Sequence, residues 1–306
     1  MNLPVLLLLP GLASAGQFAA LAARAQETRD PKARVGLYTS ALAAFVPGED
    51  DVADKVAALV GRAYAYDDLK RYQEGLRDAG DAEKLQPDDW TAHKAEAFIL
   101  DDLRRCDASS AAYKAALGLA PPEAKSGLYR ELGLTLRDCA QDYAAAEGPF
   151  VKAIEAGAAA KDVDDLNGAL RAFAVNACRQ GKFEPALQAL DRSLALIDDT
   201  GTLYDKAVCL DDAGRADEAK AAFSEVIRRA EAADLPAGGY AEAGRRDDGK
   251  TVTIVAADLN ELPDSYFRRA RLERGAGEHI AADQDFKEAC RRGRKDACPK
   301  PKATRR

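Results

Sequence analysis

One stretch of the sequence matches a motif that binds nucleotide phosphates. Gly244 and Gly249 flank four residues, and Lys250 and Thr251 follow directly. A phosphate loop needs a buried strand before it and a helix after it, so that backbone amides point at the phosphates. Here a glycine-rich turn precedes the motif, a β-branched run follows it, and Asp247 adds negative charge. We interpret the match as a coincidence.

Other side chains with catalytic potential are sparse. His93 and His279 are the two histidines, and each lies within a helical segment, where a packing or surface role is expected. Adjacent acidic residues such as Asp101 and Asp102 diverge by about 100° on a helix, which favours solvated helix ends over a catalytic pair. No nucleophile elbow, zinc-protease motif or calcium loop occurs. We therefore expect no catalytic residue, no metal and no cofactor.

The interpretation of the cysteines depends on the compartment. There are six and no Cys-x-x-Cys pair, so redox catalysis and the common zinc motifs are not indicated. In an exported protein disulfides are the default, whereas in a cytosolic one all six would be small buried apolar residues. The cysteines are Cys106, Cys139, Cys178, Cys209, Cys290 and Cys298.

The first fifteen residues resemble a secretory signal. Residues 3–12 are apolar, and Ala13, Ser14 and Ala15 supply small residues before a cleavage point that would leave Gly16 first. Only the Met1 amine is positive before the apolar run, and the alternative is an apolar first helix. The run is well short of the roughly 20 residues that span a bilayer. We expect a periplasmic or secreted protein without a transmembrane segment.

Overall charge excludes two partner classes. The chain has 44 Lys plus Arg against 51 Asp plus Glu, a net charge of -7. That balance gives no general attraction to nucleic acid or to anionic membranes. The basic excess is local and lies in the C-terminal tail. We expect this tail to be a solvated end, and the alternative is a weak contact with an acidic protein or an anionic lipid surface.

An internal repeat organises the chain. Pro87 and Pro121 close two similar phrases, and the phrase that begins at Gly181 returns at Gly214. Both intervals are about 34 residues, and a fixed period of that size indicates stacked supersecondary units.

Each repeat has the pattern of a helical hairpin. Ala146, Phe150 and Ala153 fall on one face of a helix, where the alanines admit a neighbouring helix and the aromatic ring fills the gap. A second periodic segment precedes each such helix, and a short turn separates the two. One hairpin does not bury its apolar face alone, so a stack must supply the core.

These phrases resemble the tetratricopeptide repeat family. The Leu132-Gly133 pair, residues 60–64 and the alanine-aromatic-alanine helices carry the resemblance, while the tryptophan of the family occurs once, as Trp90. The resemblance implies an all-α fold, a right-handed superhelical α-solenoid of about seven hairpins with a concave groove that binds peptides. The repeats begin near residues 18, 52, 90, 124, 163, 200 and 264.

The last repeat is also similar to Sel1-like repeats, in which two cysteines eight residues apart tie a hairpin together. The other four cysteines occupy equivalent places in neighbouring repeats, which the stack would bring together. Other pairings stay open. The expected pairs are Cys106 with Cys139, Cys178 with Cys209, and Cys290 with Cys298.

The helical pattern breaks once. Residues 251–255 alternate in β-branched types and residues 240–243 are a candidate partner strand, so a short β-hairpin insertion is expected before the last repeat. The predicted segments are a signal peptide at 1–15, tetratricopeptide-like repeats at 16–235, the insertion at 236–262, the last repeat at 263–293 and a basic tail at 294–306.

The family resemblance also implies which residues face a ligand. The first helix of each hairpin lines the groove, and Leu134 and Val175 stand where relatives that grip a terminal carboxylate need asparagine. We therefore expect an internal peptide segment, apolar with acidic flanks that arginines hold. The predicted groove residues are Lys94, Phe98, Asp101, Arg130, Leu134, Arg137, Arg171, Val175, Tyr204, Val208 and Asp211.

The leading functional hypothesis is a non-catalytic scaffold or adaptor that binds a protein or peptide in this groove. The alternatives are a nucleotide-dependent enzyme that uses residues 244–251, and a protein tethered to a surface by its basic tail.

Overall fold

The computed structural model describes residues 16–232, 244–245, 251–252 and 261–298. Those residues form fourteen α-helices, a π-helical turn (Thr135–Cys139), a 3-10 helix (Lys295–Ala297) and two short strands. The helices are α1 (Gln17–Glu27), α2 (Pro31–Ala44), α3 (Val52–Asp68), α4 (Tyr72–Leu85), α5 (Trp90–Asp102), α6 (Cys106–Leu119), α7 (Pro122–Leu134), α8 (Tyr143–Ala160), α9 (Val163–Arg179), α10 (Phe183–Leu196), α11 (Thr200–Asp212), α12 (Ala216–Ala232), α13 (Glu261–Gly275) and α14 (His279–Arg291).

The helices follow the predicted repeats in order. Taken in pairs along the chain they begin at residues 17, 52, 90, 122, 163, 200 and 261, close to the expected starts. The chain divides into two compact units between Asp142 and Tyr143. The first unit holds α1 to α7, and the second holds α8 to α14, so the boundary falls inside the fourth predicted pair.

Aspartate marks the start of most first helices. The side chains of Asp51, Asp89, Asp162 and Asp199 accept hydrogen bonds from backbone amides in the first turns of α3, α5, α9 and α11. An N-terminal helical turn leaves four amides without an intrahelical partner, and a capping carboxylate satisfies one or two of them. These caps set where each new hairpin begins.

The turn inside each hairpin uses one backbone conformation. In every helix pair from the second onward, a single residue in the turn that follows the first helix has a positive φ, between 56° and 84°, in the left-handed region. This conformation reverses the chain at a helix end. The residues are Lys70, Arg104 and Gln141 in the first unit, and Gly181, Gly214 and Gly277 in the second.

Alanine dominates both cores. Ala146, Phe150 and Ala153 are fully buried, as their spacing predicts. Close approach also depends on Gly75, where a Cβ would lie 2.8 Å from Ile99 Cδ1 and 3.0 Å from a backbone oxygen. Small side chains therefore let helices approach closely, and single aromatic rings fill the remaining gaps.

Both units contain the same arrangement of an arginine, an aspartate and a hydroxyl group. Arg62 forms two hydrogen bonds with Asp78, at 2.7 and 2.8 Å, and Arg269 does the same with Asp285, at 2.6 and 2.9 Å. Each guanidinium also donates to a hydroxyl on the second helix of the preceding hairpin. The pairs join the two helices of a hairpin and the hairpin to its predecessor.

The structure joins the cysteines in the three expected pairs. The Cα atoms of Cys106 and Cys139 are 5.6 Å apart, those of Cys178 and Cys209 5.8 Å, and those of Cys290 and Cys298 4.9 Å. These separations lie within the range that a disulfide bridges. The first two pairs link consecutive hairpins, and the third fastens the 3-10 helix to α14.

The predicted insertion is described only in part. Strands β1 (Gly244–Arg245) and β2 (Thr251–Val252) pair antiparallel, Gly244 with Val252 and Arg245 with Thr251. The candidate strand at 240–243 and the rest of the insertion lie outside the described residues. The β-hairpin insertion therefore stays a prediction, as do the signal peptide at 1–15 and the part of the tail beyond Cys298.

None of the helices in residues 16–232 and 261–298 combines the length and apolar character that crossing a bilayer requires.

Candidate functional site

The predicted groove residues of α5 present an aromatic ring to solvent. Phe98 is 40% exposed, and its ring meets that of Tyr64 edge to face, with centroids 5.7 Å apart. Lys94, one turn earlier, holds its Nζ 5.8 Å from the ring centroid of Trp90. Lys94 makes no salt bridge to any described residue. An exposed aromatic ring beside an ammonium without an ion partner suits a ligand that combines apolar and acidic groups.

Two carboxylates of the first unit are incompletely paired. Asp67 is 5% exposed, and its Oδ1, like Oδ1 of Asp101, has no hydrogen-bond partner among the described residues. Burial, reinforced by Asp102, raises the pKa of Asp67 to about 6. Burial also raises the pKa of Asp101. These aspartates lie one repeat period apart, at equivalent positions of consecutive first helices.

The arginines of the first unit engage their own neighbours. Arg130 lies 3.2 Å from Oε1 of Glu131 and is half-buried. Arg137, in the π-helical turn, donates from Nε and Nη2 to both carboxylate oxygens of Asp138, at 2.8 and 2.7 Å, and its side chain is only 12% exposed. Leu134, which lies between Arg130 and Arg137 in the sequence, is partly buried. Arg130 is thus the more available of the two guanidinium groups.

In the second unit Arg171 is already neutralised. It donates from Nε and Nη2 to Oδ2 of Asp205, at 3.1 and 2.7 Å, and its Nη1 lies 3.9 Å from Asp199. Although burial opposes the charge, Asp205 raises the pKa of Arg171 above its usual value. Val175 and Val208 are partly buried, and Val208 packs against the core of this unit.

Tyr204 and Asp211 belong to a continuous polar network with α13. The Tyr204 hydroxyl donates to Oδ2 of Asp264 at 2.5 Å, and Arg268 donates to the same oxygen at 2.7 Å. Arg268 also reaches Oδ2 of Asp211 at 2.9 Å, and Arg294 forms an ion pair with Asp264. Asp264 itself is 9% exposed. The polar groups predicted to face a ligand here hold the hairpins together.

Sequence reasoning missed the acidic partners, although the period contains a signal for one of them. Asp205 follows Arg171 by one repeat period, and both lie on first helices, α11 and α9. Equivalent positions of consecutive repeats lie side by side in a stack, so a charge and its partner one period later are expected to meet. Asp264 lies outside this rule, because the predicted insertion separates α12 from α13.

The phosphate-loop pattern lies in a different local structure from the one that phosphate binding needs. Thr251 begins strand β2, where a phosphate loop would begin a helix. Residues 246–250, with Lys250 among them, lie outside the described residues.

One group of side chains in the described part of the chain has the chemistry of metal ligands. Glu83, His93 and Glu96 each place one ligand atom within 4.8 Å of the other two. A packing or surface role is the expectation for His93 from the sequence, because His93 lies within a helical segment.

Comparison with known proteins identifies the fold. Neither a protein-family model nor a curated protein sequence matches the chain. Similar solved structures include a tetratricopeptide repeat protein from Parabacteroides merdae, with 16% identity over 90% of this chain and 93% of that one and a TM-score of 0.58. PilW, a widely conserved type IV pilus biogenesis factor, shows 19% identity over 76% and 91%, with a TM-score of 0.58.

A third similar structure is a signal-transduction ATPase from Pyrococcus horikoshii that has a tetratricopeptide repeat sensor. Its identity is 12%, over 91% of this chain and 41% of that one, with a TM-score of 0.68. Identities this low show the fold alone. The described helices therefore have the tetratricopeptide repeat fold that the repeat phrases predict, and the Sel1-like character of the last repeat stays a prediction.

Proposed function

We propose that this tetratricopeptide repeat chain is a non-catalytic scaffold that captures a segment of a partner protein on the first helices of its hairpins. The observation that carries the proposal is Phe98, a large aromatic side chain that is 40% exposed at a position where the family resemblance places ligand. Exposed aromatic side chains at the centre of a binding face supply much of the affinity of such complexes.

The side chains around Phe98 favour an internal segment that is apolar with acidic flanks. An apolar side chain of the partner would pack on Phe98, and a carboxylate would pair with Lys94 on the same helix face or with Arg130 on α7. Arg137 and Arg171 contribute less, because Asp138 and Asp205 already hold their guanidinium groups.

The partner is found by affinity capture from the native compartment, and the site is then tested with variants. Phe98→Ala and the double change Lys94→Ala with Arg130→Ala should each weaken capture about tenfold or more, about 1.4 kcal/mol. Leu119→Ala is the matched control, because Leu119 is 41% exposed but lies on a second helix. Unchanged affinity in all variants would move the binding surface elsewhere, with the insertion at 236–262 the next candidate.

The disulfides support export. All six cysteines are paired, and such bonds persist in the periplasm and in secreted proteins. We infer that residues 1–15 are removed and that the mature protein is periplasmic or secreted. Mass measurement of the protein recovered from cells should show Gly16 first, and an intact Met1 would contradict export.

Two further measurements address the alternative functions. Millimolar ATP with magnesium should leave the melting temperature unchanged, and a clear rise would revive the nucleotide-dependent enzyme. Deleting residues 300–306 should leave any surface association unchanged, and its loss with the helices still folded would favour tethering by the tail.

A further inference from the structure

The strongest unassigned chemistry lies at the junction of the second and third hairpins. Glu83 is in the last turn of α4, and His93 and Glu96 are in the first turns of α5. One donor atom from each side chain lies within 4.8 Å of the other two. All three side chains are half-buried, so the donors are neither free in solvent nor shut into the core.

Local structure accounts for this proximity. His93 and Glu96 are three residues apart on one helix, so their side chains share a face. α4 ends at Leu85, Pro87 stands in the connection, and α5 starts at Trp90, so the chain reverses over a few residues. The last turn of α4 therefore packs beside the first turns of α5 and brings Glu83 to the His93 face.

The three side chains are not used elsewhere. Within the described residues none of these side chains makes a hydrogen bond or a salt bridge. Two carboxylates thus stand close together on a half-buried surface without a bonded counter-charge, which is costly unless a cation offsets it.

We propose that Glu83, His93 and Glu96 bind a divalent transition-metal cation of the class of Zn²⁺. One imidazole nitrogen and two carboxylate oxygens are ligands that Zn²⁺ and its neighbours accept, and water would complete the coordination. Softer thiolate donors do not compete, because all six cysteines are in disulfides. The ion would bridge α4 and α5 and so fasten two consecutive hairpins of the first unit.

The two histidines make a direct test available. The full mature chain is prepared without a polyhistidine tag, labelled with ¹⁵N at histidine, and titrated with Zn²⁺ while the ring nitrogens are followed by NMR. The resonances are assigned with His279→Ala, which also serves as the matched control because His279 is exposed. The expected result is that the His93 signals move and saturate at about one equivalent, while those of His279 do not.

Calorimetry with the same ion tests the carboxylates. Glu83→Gln and Glu96→Gln keep the size of the side chain and should each weaken Zn²⁺ binding about tenfold or more, with helicity by circular dichroism unchanged. His93→Ala should abolish the binding, and His279→Ala should leave it intact.

Several outcomes overturn the proposal. They are an unshifted His93 at millimolar Zn²⁺, saturation that survives both glutamine variants, and binding lost only in His279→Ala. Magnesium that binds as tightly as zinc, without moving the His93 signals, would likewise overturn it, because the two carboxylates would then attract cations without the imidazole. None of these results bears on partner capture by Phe98, so the two proposals fail separately.

Discussion

The two compact units build the same turn from different residues. In the first unit the left-handed position after a first helix holds Lys70, Arg104 or Gln141, and in the second unit it always holds glycine. A side chain there costs about 1–2 kcal/mol relative to the right-handed region, whereas glycine adopts it freely. The hairpin packing therefore imposes this turn, and glycine only lowers its cost.

The two units also contain polar side chains that interact differently on their first helices. In the second unit Arg171 pairs with Asp205, and Arg268 joins Asp211 to Asp264, so charge is balanced within the chain. Buried side-chain oxygens without a hydrogen bond to described residues occur in both units, on Asp67 and Asp101 in the first and on Asn176 and Glu273 in the second. These ion pairs of the second unit join consecutive first helices to one another.

The largest expected effect tests whether the units are equivalent modules. The disulfides Cys106–Cys139 and Cys178–Cys209 span 33 and 31 residues, and Cys290–Cys298 spans 8. Replacing either long pair by alanines should lower the free energy of unfolding by about 3.7 kcal/mol, and the short pair by about 2.5 kcal/mol, from chain entropy. Urea unfolding measures this, and very unequal losses for the two long pairs would break the equivalence.

The network of the second unit should be the next most sensitive. Asp264→Ala leaves Arg268, Arg294 and the Tyr204 hydroxyl without their shared acceptor, so a loss of about 2–3 kcal/mol is expected. Asp283→Ala in the same unit removes only an exposed ion pair with Arg274 and should change stability by less than about 0.5 kcal/mol. Equal effects of the two changes on the urea midpoint would show that the network stabilises nothing.

In the first unit, Asp67→Asn is expected to raise the free energy of unfolding, whereas Asp264→Ala lowers it. The folded pKa of about 6 exceeds the unfolded value of about 3.9, so ionised Asp67 opposes folding above pH 6. The variant should be more stable by about 1–2 kcal/mol at pH 7.5, and this gain should vanish between pH 6 and pH 4. Thermal unfolding across that range measures it, and a variant that loses stability at pH 7.5 contradicts the assignment.

The smallest effect addresses the turns directly. Lys70→Gly should stabilise the first unit by about 0.5 kcal/mol, because relief of the left-handed strain exceeds the entropy that glycine adds to the unfolded chain. Gly214→Ala should destabilise the second unit by about 1 kcal/mol for the converse reason. Chemical unfolding of both variants settles the point, and a destabilising Lys70→Gly would mean that packing has removed the strain.

The difference in turn residues also explains which repeats are easiest to recognise in the sequence. The phrases at Gly181 and Gly214 are visible because glycine marks the turn, whereas Lys70 and Arg104 give no such mark and their repeats rest on the proline spacing. The approximate start of each hairpin follows from the repeat period. The period also favours Cys106 with Cys139 and Cys178 with Cys209, whereas Cys290 with Cys298 rests on the resemblance to Sel1-like repeats. A difference of a few residues between a predicted and an observed hairpin start leaves the predicted fold unchanged.

The repeat, its helical class and its small-residue packing can be predicted from the amino-acid sequence, because these features depend on periodicity within one or two repeats. Most of the ion pairs depend on how the helices pack in the folded chain. Arg171 has a carboxylate partner because consecutive first helices lie side by side, and Arg268 meets Asp211 across the predicted insertion. Glu83 comes within reach of His93 and Glu96 through the packing of α4 on α5. The 34-residue spacing of Arg171 and Asp205 is a signal for that pair, whereas the other distances depend on how the helices pack and have no such spacing along the chain.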